Sequence, residues 1–253
     1  DELMARPQPR RLKVIKSERL TPNMHRITLG GGGLTGFPQD QDGAYIKFML
    51  PTAKGQKSIV RTYTVRRQLE HGLEIDFALH GKTEVSGPAT QWALDAKLGD
   101  EVLVSGPGPA KPLPEGSGPF LLVGDMTALP AISVNLEFAP QEAQGHVIIL
   151  IRDEADKQAL NMPDNMTLEW IVESKLGANP ELLAQAVRRL PKIQGFTYAW
   201  VACEFEAMKL LRQYLRVEKQ FGKERLYISS YWKRGLVEDE HKDIKRADAK
   251  TNS

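Results

Sequence analysis

Arg61, Thr62, Tyr63, Thr64, Val65 and Arg66 follow one another at the end of an apolar, β-rich run. A guanidinium, an aromatic ring and a hydroxyl at alternate or adjacent strand positions can hold a phosphate, lie against a flat ring and meet a ring nitrogen. Those are the contacts a flavin dinucleotide asks for. A second anion site is suggested by Gly87-Pro88-Ala89-Thr90-Gln91-Trp92-Ala93, where Gly-Pro opens a short helix expected over residues 89–96. Its free N–H groups and the Thr90 hydroxyl suit a pyrophosphate, although many helices begin after Gly-Pro for structural reasons alone. Trp92 reads equally well as a residue packed in the domain core.

These residues need a scaffold, and the first half of the chain reads as strands. Residues 12–17, 24–29 and 74–79 alternate apolar and polar side chains, and 44–50, 58–66 and 101–104 are further short runs. An antiparallel β-domain over residues 10–112 is expected. Gly30 to Gly33 form a turn rather than a phosphate cradle, since neither a Lys-Ser/Thr pair nor a long helix pattern follows. Lys47 stands in an otherwise apolar strand, as an edge or solvent-facing residue or as an anion ligand.

From Phe120 the texture changes to strand, turn and helix. Phe120-Leu121-Leu122-Val123 ends in Gly124-Asp125, and a helical pattern runs from Thr127 through Phe138. Buried strands at 147–151, 167–172, 198–202 and 225–230, with helices at 180–190 and 206–221, predict a parallel-sheet nucleotide-type domain over residues 118–237. Gly124 stands alone, so the full G-x-G-x-x-G fingerprint is missing. The carboxyl ends of the strands would carry Gly124, Asp125 and Thr127, then Arg152, Cys203 and Glu204, then Trp232, Lys233 and Arg234. Residues 238–253 read as a charged, solvated tail, with a basic lid as the alternative.

Composition narrows the class. The chain has 253 residues and a formal charge of +2, without the basic excess usual in nucleic-acid binding. One cysteine excludes an internal disulfide and any iron–sulfur or zinc-thiolate site within one chain, and five scattered histidines suggest no metal centre. No run approaches the roughly 20 apolar residues that span a bilayer. A cytoplasmic monomer without nucleic-acid or membrane partners is the expectation.

Taken together, Arg61 to Arg66, His80-Gly81 with Gly87 to Ala93, Gly124 to Ile132 and Tyr231-Trp232-Lys233-Arg234-Gly235 resemble the siderophore-interacting protein family. These are ferric-siderophore reductases that join a flavin-binding β-barrel to a ferredoxin-reductase-like NAD(P) domain. The resemblance implies noncovalent FAD on Arg61, Thr62, Tyr63, Thr64, His80, Gly87, Ala89, Thr90 and Trp92. It also implies NADH or NADPH on Gly124, Asp125, Thr127, Cys203 and Glu204. A ferric siderophore would meet Lys47, Trp232, Lys233 and Arg234. A glycine is common in the family where Cys203 stands, which makes Cys203 a candidate nicotinamide contact, although a lone cysteine at the end of a buried strand is more often a small apolar residue. Acidic residues beside Arg152 favour NADH over NADPH, and a ferredoxin is an alternative donor. Competing readings are a generic NAD(P)H-dependent flavin or ferredoxin-type reductase, and a non-catalytic flavin-containing siderophore-binding protein.

Overall fold

The computed structural model of the chain describes residues 8–52, 57–79, 87–191, 196–236 and 238–252. The chain divides into two compact units, residues 1–111 and 112–253.

In the first unit, period-two alternation produces six strands: β1 (Arg10–Thr21), β2 (Met24–Gly30), β3 (Tyr45–Leu50), β4 (Ile59–Leu69), β5 (Gly72–Ala78) and β6 (Glu101–Gly108). They close into a barrel in the order β1-β2-β5-β4-β3-β6, with every pair antiparallel. Closure leaves no free sheet edge. Ile27, Leu29, Ile46, Phe48, Val65, Leu73, Ile75, Phe77 and Val104 supply its interior. Helix α1 (Pro88–Asp95) lays Ala89 and Ala93 against that interior. The Gly30–Gly33 stretch is the structural turn expected of it. Arg10 donates from its guanidinium to the carbonyls of Gly33 at 2.9 Å, Thr35 at 2.8 Å and Gly36 at 3.1 Å, and stacks over Phe37.

In the second unit, the apolar runs at 120–123, 147–151 and 198–202 become strands largely buried on both faces, and the two outer strands are half-buried. The elements are β7 (Phe120–Asp125), α2 (Leu129–Phe138), β8 (Gly145–Ile151), β9 (Met166–Val172), α3 (Leu182–Arg189), β10 (Tyr198–Glu204), α4 (Phe205–Arg212), β11 (Leu226–Trp232) and α5 (Glu238–Thr251). The sheet is wholly parallel, in the order β11-β10-β7-β8-β9. Successive strands leave β7 first on one side and then on the other, so strand order reverses between β7 and β10. Ligands of open parallel sheets sit at that reversal, beyond the carboxyl ends. The reversal places Asp125 and Glu204 side by side.

Two expectations change. The helix expected over 206–221 is α4 followed by a π-helical turn at Gln213–Glu218. The charged tail, expected as mainly solvated with a short helix possible, is helix α5, exposed along much of its length and held on one face to β11. The Lys245 ammonium donates to Ser229 Oγ at 2.7 Å and to the Ser230 carbonyl at 3.0 Å, and Arg212 grips Asp248 with two bonds of 2.5 and 2.8 Å. A count of charged residues cannot reveal that those on one face of a helix are paired. Among the described residues, no helix is long and apolar enough to cross a membrane.

Candidate active site

In the barrel, strand β4 sorts its motif by side. Register pairs Ile46 with Tyr63 and Phe48 with Arg61, while Lys47 faces Thr62 and Tyr45 faces Thr64. Arg61 and Tyr63 therefore share the side of the apolar interior, and Thr62, Thr64 and Lys47 share the opposite one. Tyr63 is half-buried, its ring 4.3 Å from Phe77 and 5.6 Å from Phe48 between centroids. Phe48 and Phe77 back it as a rigid platform, leaving part of the phenol open. Arg61 is also half-buried and donates to the Val60 carbonyl at 2.9 Å. Lys47 is exposed, and it lies on an inner strand of the barrel rather than an edge, flanked by Thr62 and Ser105.

Helix α1 meets its expectations unequally. Pro88 occupies the first turn after Gly87, and a Cβ on Gly87 would meet open space, so the backbone there is approachable. Thr90 and Ala89 are buried against the barrel, so only their backbone can serve an anion. Trp92 is half-buried, 5.5 Å from Phe48 and 6.2 Å from Phe77, so it packs against the barrel aromatics while staying partly open. His80 lies outside the described residues. The side chains fit an FAD in kind: a guanidinium, two hydroxyls, a backed aromatic ring and an open helix start.

In the second unit, one buried carboxylate organises the carboxyl end of the sheet. Asp125 accepts from the Thr127 backbone N–H at 2.9 Å, the Thr127 hydroxyl at 2.5 Å, the Glu204 N–H at 2.9 Å and the Trp232 indole N–H at 2.8 Å. Burial pushes its pKa up, and the bonds from Thr127 and Trp232 pull it back part of the way. Glu204, also buried, caps α4 by accepting from the Glu206 and Ala207 N–H groups at 2.7 and 3.2 Å. Its other oxygen accepts from the Arg234 N–H at 3.2 Å. Gly124 is a packing glycine, since an added Cβ would come within 2.8 Å of Ile132 and 2.9 Å of the Ala202 carbonyl oxygen.

Of the two readings of Cys203, the structure fits the small apolar residue. It is fully buried in the core beside Leu121, Val201 and Leu211, and burial, with Asp125 and Glu204 nearby, drives its thiol pKa far upward. A thiol there acts as a small apolar residue, not as a nicotinamide contact. Lys233 is also less available than its sequence position suggests. Its ammonium sits 2.5 Å from Glu206 Oε1 and 4.7 Å from the Phe205 ring, and it holds the Glu206 carboxyl below the usual range. Arg234 is exposed.

Comparison with known proteins bears on both units. The siderophore-interacting FAD-binding domain matches residues 13–59 and 51–111, and the siderophore-interacting protein family matches residues 118–235. The ferric vibriobactin reductase ViuB of Vibrio cholerae is 36% identical over 255 residues, covering 92% of this chain and 93% of ViuB. The chain belongs to the siderophore-interacting protein family. Among solved structures, the siderophore-interacting protein SipS of Aeromonas hydrophila superposes with a TM-score of 0.82 at 32% identity, covering 96% of this chain and 98% of SipS. An NADPH-dependent ferric-chelate reductase of Escherichia coli is 28% identical over 244 residues, covering 88% of this chain and 92% of the relative. Family membership agrees with the barrel and the parallel sheet described above.

Several participants escape sequence reading. Gly177, at φ +78°, is the seat for Trp232, whose Cη2 would stand 3.0 Å from an added Cβ. Glu206 pairs with Lys233, and Phe48 and Phe77 back Tyr63. Nothing in the sequence ties Gly177 to Trp232.

Proposed function

We propose that this protein is an FAD-dependent ferric-siderophore reductase, drawing electrons from NAD(P)H and delivering them to siderophore-bound Fe(III). The observation that carries the reading is the pair of family matches running in order along the chain, with Arg61 to Arg66 on a strand whose aromatic residue is braced and partly open.

The binding roles follow from side-chain chemistry. With FAD bound, Arg61 and the backbone N–H groups at the start of α1 would hold the pyrophosphate through charge-assisted bonds, the open part of Tyr63 would offer its ring to the isoalloxazine, and Thr64 would offer its hydroxyl to the flavin. Thr62 lies on the same side of β4 as Thr64. Bound FAD supplies the conversion of a two-electron hydride into one-electron transfers, so one NAD(P)H reduces two Fe(III) to two Fe(II) and releases a proton. Siderophore oxygens are hard donors that suit Fe(III) better than Fe(II), so reduction weakens the complex and frees the metal. Lys47 and Arg234, both exposed, collect anionic ferric complexes, and Trp232 offers its ring to the siderophore.

We assign the nicotinamide cofactor to the carboxyl ends of β7 and β10, where half-buried Thr127 is the residue of the Gly124–Thr127 turn open to it, while Gly124 and Asp125 are buried behind the turn. NADH remains the preferred donor, because Asp153 and Glu154 flank Arg152, whose guanidinium already donates to the Ser174 carbonyl at 3.1 Å. We place the reaction in the cytoplasm of the cell and assign it to a monomer, consistent with a lone, buried thiol. The test is steady-state reduction of a ferric siderophore with NADH, NADPH or reduced ferredoxin, with Fe(II) trapped by a chromogenic chelator. Turnover with a nicotinamide cofactor supports the reading, and turnover only with ferredoxin moves the donor assignment.

A further inference from the structure

At the reversal between β7 and β10, each oxygen of the Asp125 carboxylate already receives two donors. Thr127 supplies both for Oδ1, and the Glu204 N–H and the Trp232 indole supply both for Oδ2. The side chain is 1% exposed. A ribose hydroxyl or carboxamide approaching it would find every favourable direction taken. What the carboxylate does instead is join the carboxyl ends of three strands. It binds β7 to β10 through Glu204 and β7 to β11 through Trp232. Glu204 extends the same network by accepting from the Arg234 N–H.

We propose that Asp125 is a positioning residue for ferric-siderophore reduction: it fixes the Trp232 indole and, through Glu204, the Lys233–Arg234 backbone as one preformed recognition segment. The proposal rests on the reading that this segment meets the ferric siderophore. A tryptophan has two side-chain torsions, and here the hydrogen bond to Asp125 and the close approach of Gly177, at φ +78°, restrain them. Gly177 is itself held, since its N–H donates to Glu173 Oε2 at 2.8 Å. A ring and a backbone segment ordered before the ligand arrives do not pay that entropy on binding, so the arrangement acts on substrate capture. Asp125→Asn would put an NH2 against an N–H donor in either amide orientation and weaken the hold on the indole.

The test combines a spectroscopic and a kinetic readout. In protein labelled with 15N-tryptophan, the Trp232 indole resonance is assigned by its loss in Trp232→Phe. In the native protein its proton is expected to exchange with solvent at least tenfold more slowly than that of free indole. In Asp125→Asn, or in the milder Thr127→Val should the first not fold, its resonance is expected to shift and its exchange to quicken. Both Trp232→Phe and Asp125→Asn are expected to raise the ferric-siderophore KM about tenfold while leaving the NAD(P)H KM within twofold. Asp125→Asn in the Trp232→Phe background should add no more than about twofold, because the two changes break one interaction. Fast indole exchange in the native protein overturns the anchoring. A raised NAD(P)H KM with an unchanged siderophore KM in Asp125→Asn overturns the assignment in favour of direct nucleotide contact. An unchanged siderophore KM in Trp232→Phe with a slow indole proton overturns the siderophore reading of the segment, and is thereby separable from failure of the anchor.

Discussion

The docking of α5 onto β11 should weaken as pH falls, and His241 sets the window. Its side chain is almost fully buried, with Nε2 2.7 Å from Ser230 Oγ and the ring edge-on to Phe205. Burial, followed by the charges of Lys245, Lys233 and Lys242, lowers its pKa from 6.5 to about 4. Folded protein thus keeps the imidazole neutral while the unfolded chain protonates it first. The stability it contributes is fully present above pH 6.5 and is lost as pH falls toward 4. At about 1.4 kcal/mol per pH unit, the loss reaches roughly 2 kcal/mol by pH 5 and about 3 below pH 4. Asp248, held below the usual carboxylate range by Arg212, gives way only below that window. Urea unfolding at pH 7.5, 6 and 5 measures the effect, and His241→Gln, which cannot titrate, isolates it. His25, whose pKa burial also lowers, contributes equally to both proteins and cancels in the difference. The variant is expected to be less stable at pH 7.5 and to lose about 2 kcal/mol less than the native protein on going to pH 5. Parallel pH profiles for the two proteins would refute the reasoning.

Other outcomes follow from the same geometry. Arg61→Ala removes a charge-assisted pyrophosphate contact and should weaken FAD binding about 10- to 100-fold, read by flavin release on dilution. Lys47→Ala with Arg234→Ala should raise the KM for an anionic ferric catecholate several-fold at low salt, with the difference shrinking near 0.5 M salt. Lys233→Ala should matter less for capture, since Glu206 already engages that charge. Gly124→Ala should cost about 1–3 kcal/mol of stability through overpacking against Ile132 and the Ala202 carbonyl. Cys203 should stay unreactive toward a thiol reagent in native protein and react on unfolding, measured by absorbance.

Both sheets were legible in the sequence because burial leaves a periodic trace: alternation in the barrel strands, continuous apolar runs such as 120–123 and 147–151 in the parallel sheet. The Arg61–Arg66 strand was legible too, since its chemistry is local. What escaped depends on contacts between residues distant in sequence. Trp232 and Asp125 are 107 positions apart, and their hydrogen bond exists only because β7 and β11 both flank β10. For Cys203 the sequence leaves a nicotinamide contact and a small apolar residue both open; β10 continues through Glu204, which buries the thiol in the core. The terminal charges looked solvated until Lys245 and Asp248 found partners 16 and 36 positions away.

The central claim is that this chain passes electrons from a nicotinamide cofactor through FAD to siderophore-bound Fe(III). The most direct measurement is the visible spectrum of protein loaded with FAD, recorded anaerobically before and after NADH or NADPH and again after a ferric siderophore with an Fe(II) chelator. Bleaching of the flavin band, then its recovery together with about two Fe(II) trapped per flavin reoxidised, is the predicted result. A flavin that bleaches but is not reoxidised by any ferric siderophore, or protein that retains no FAD, would contradict it.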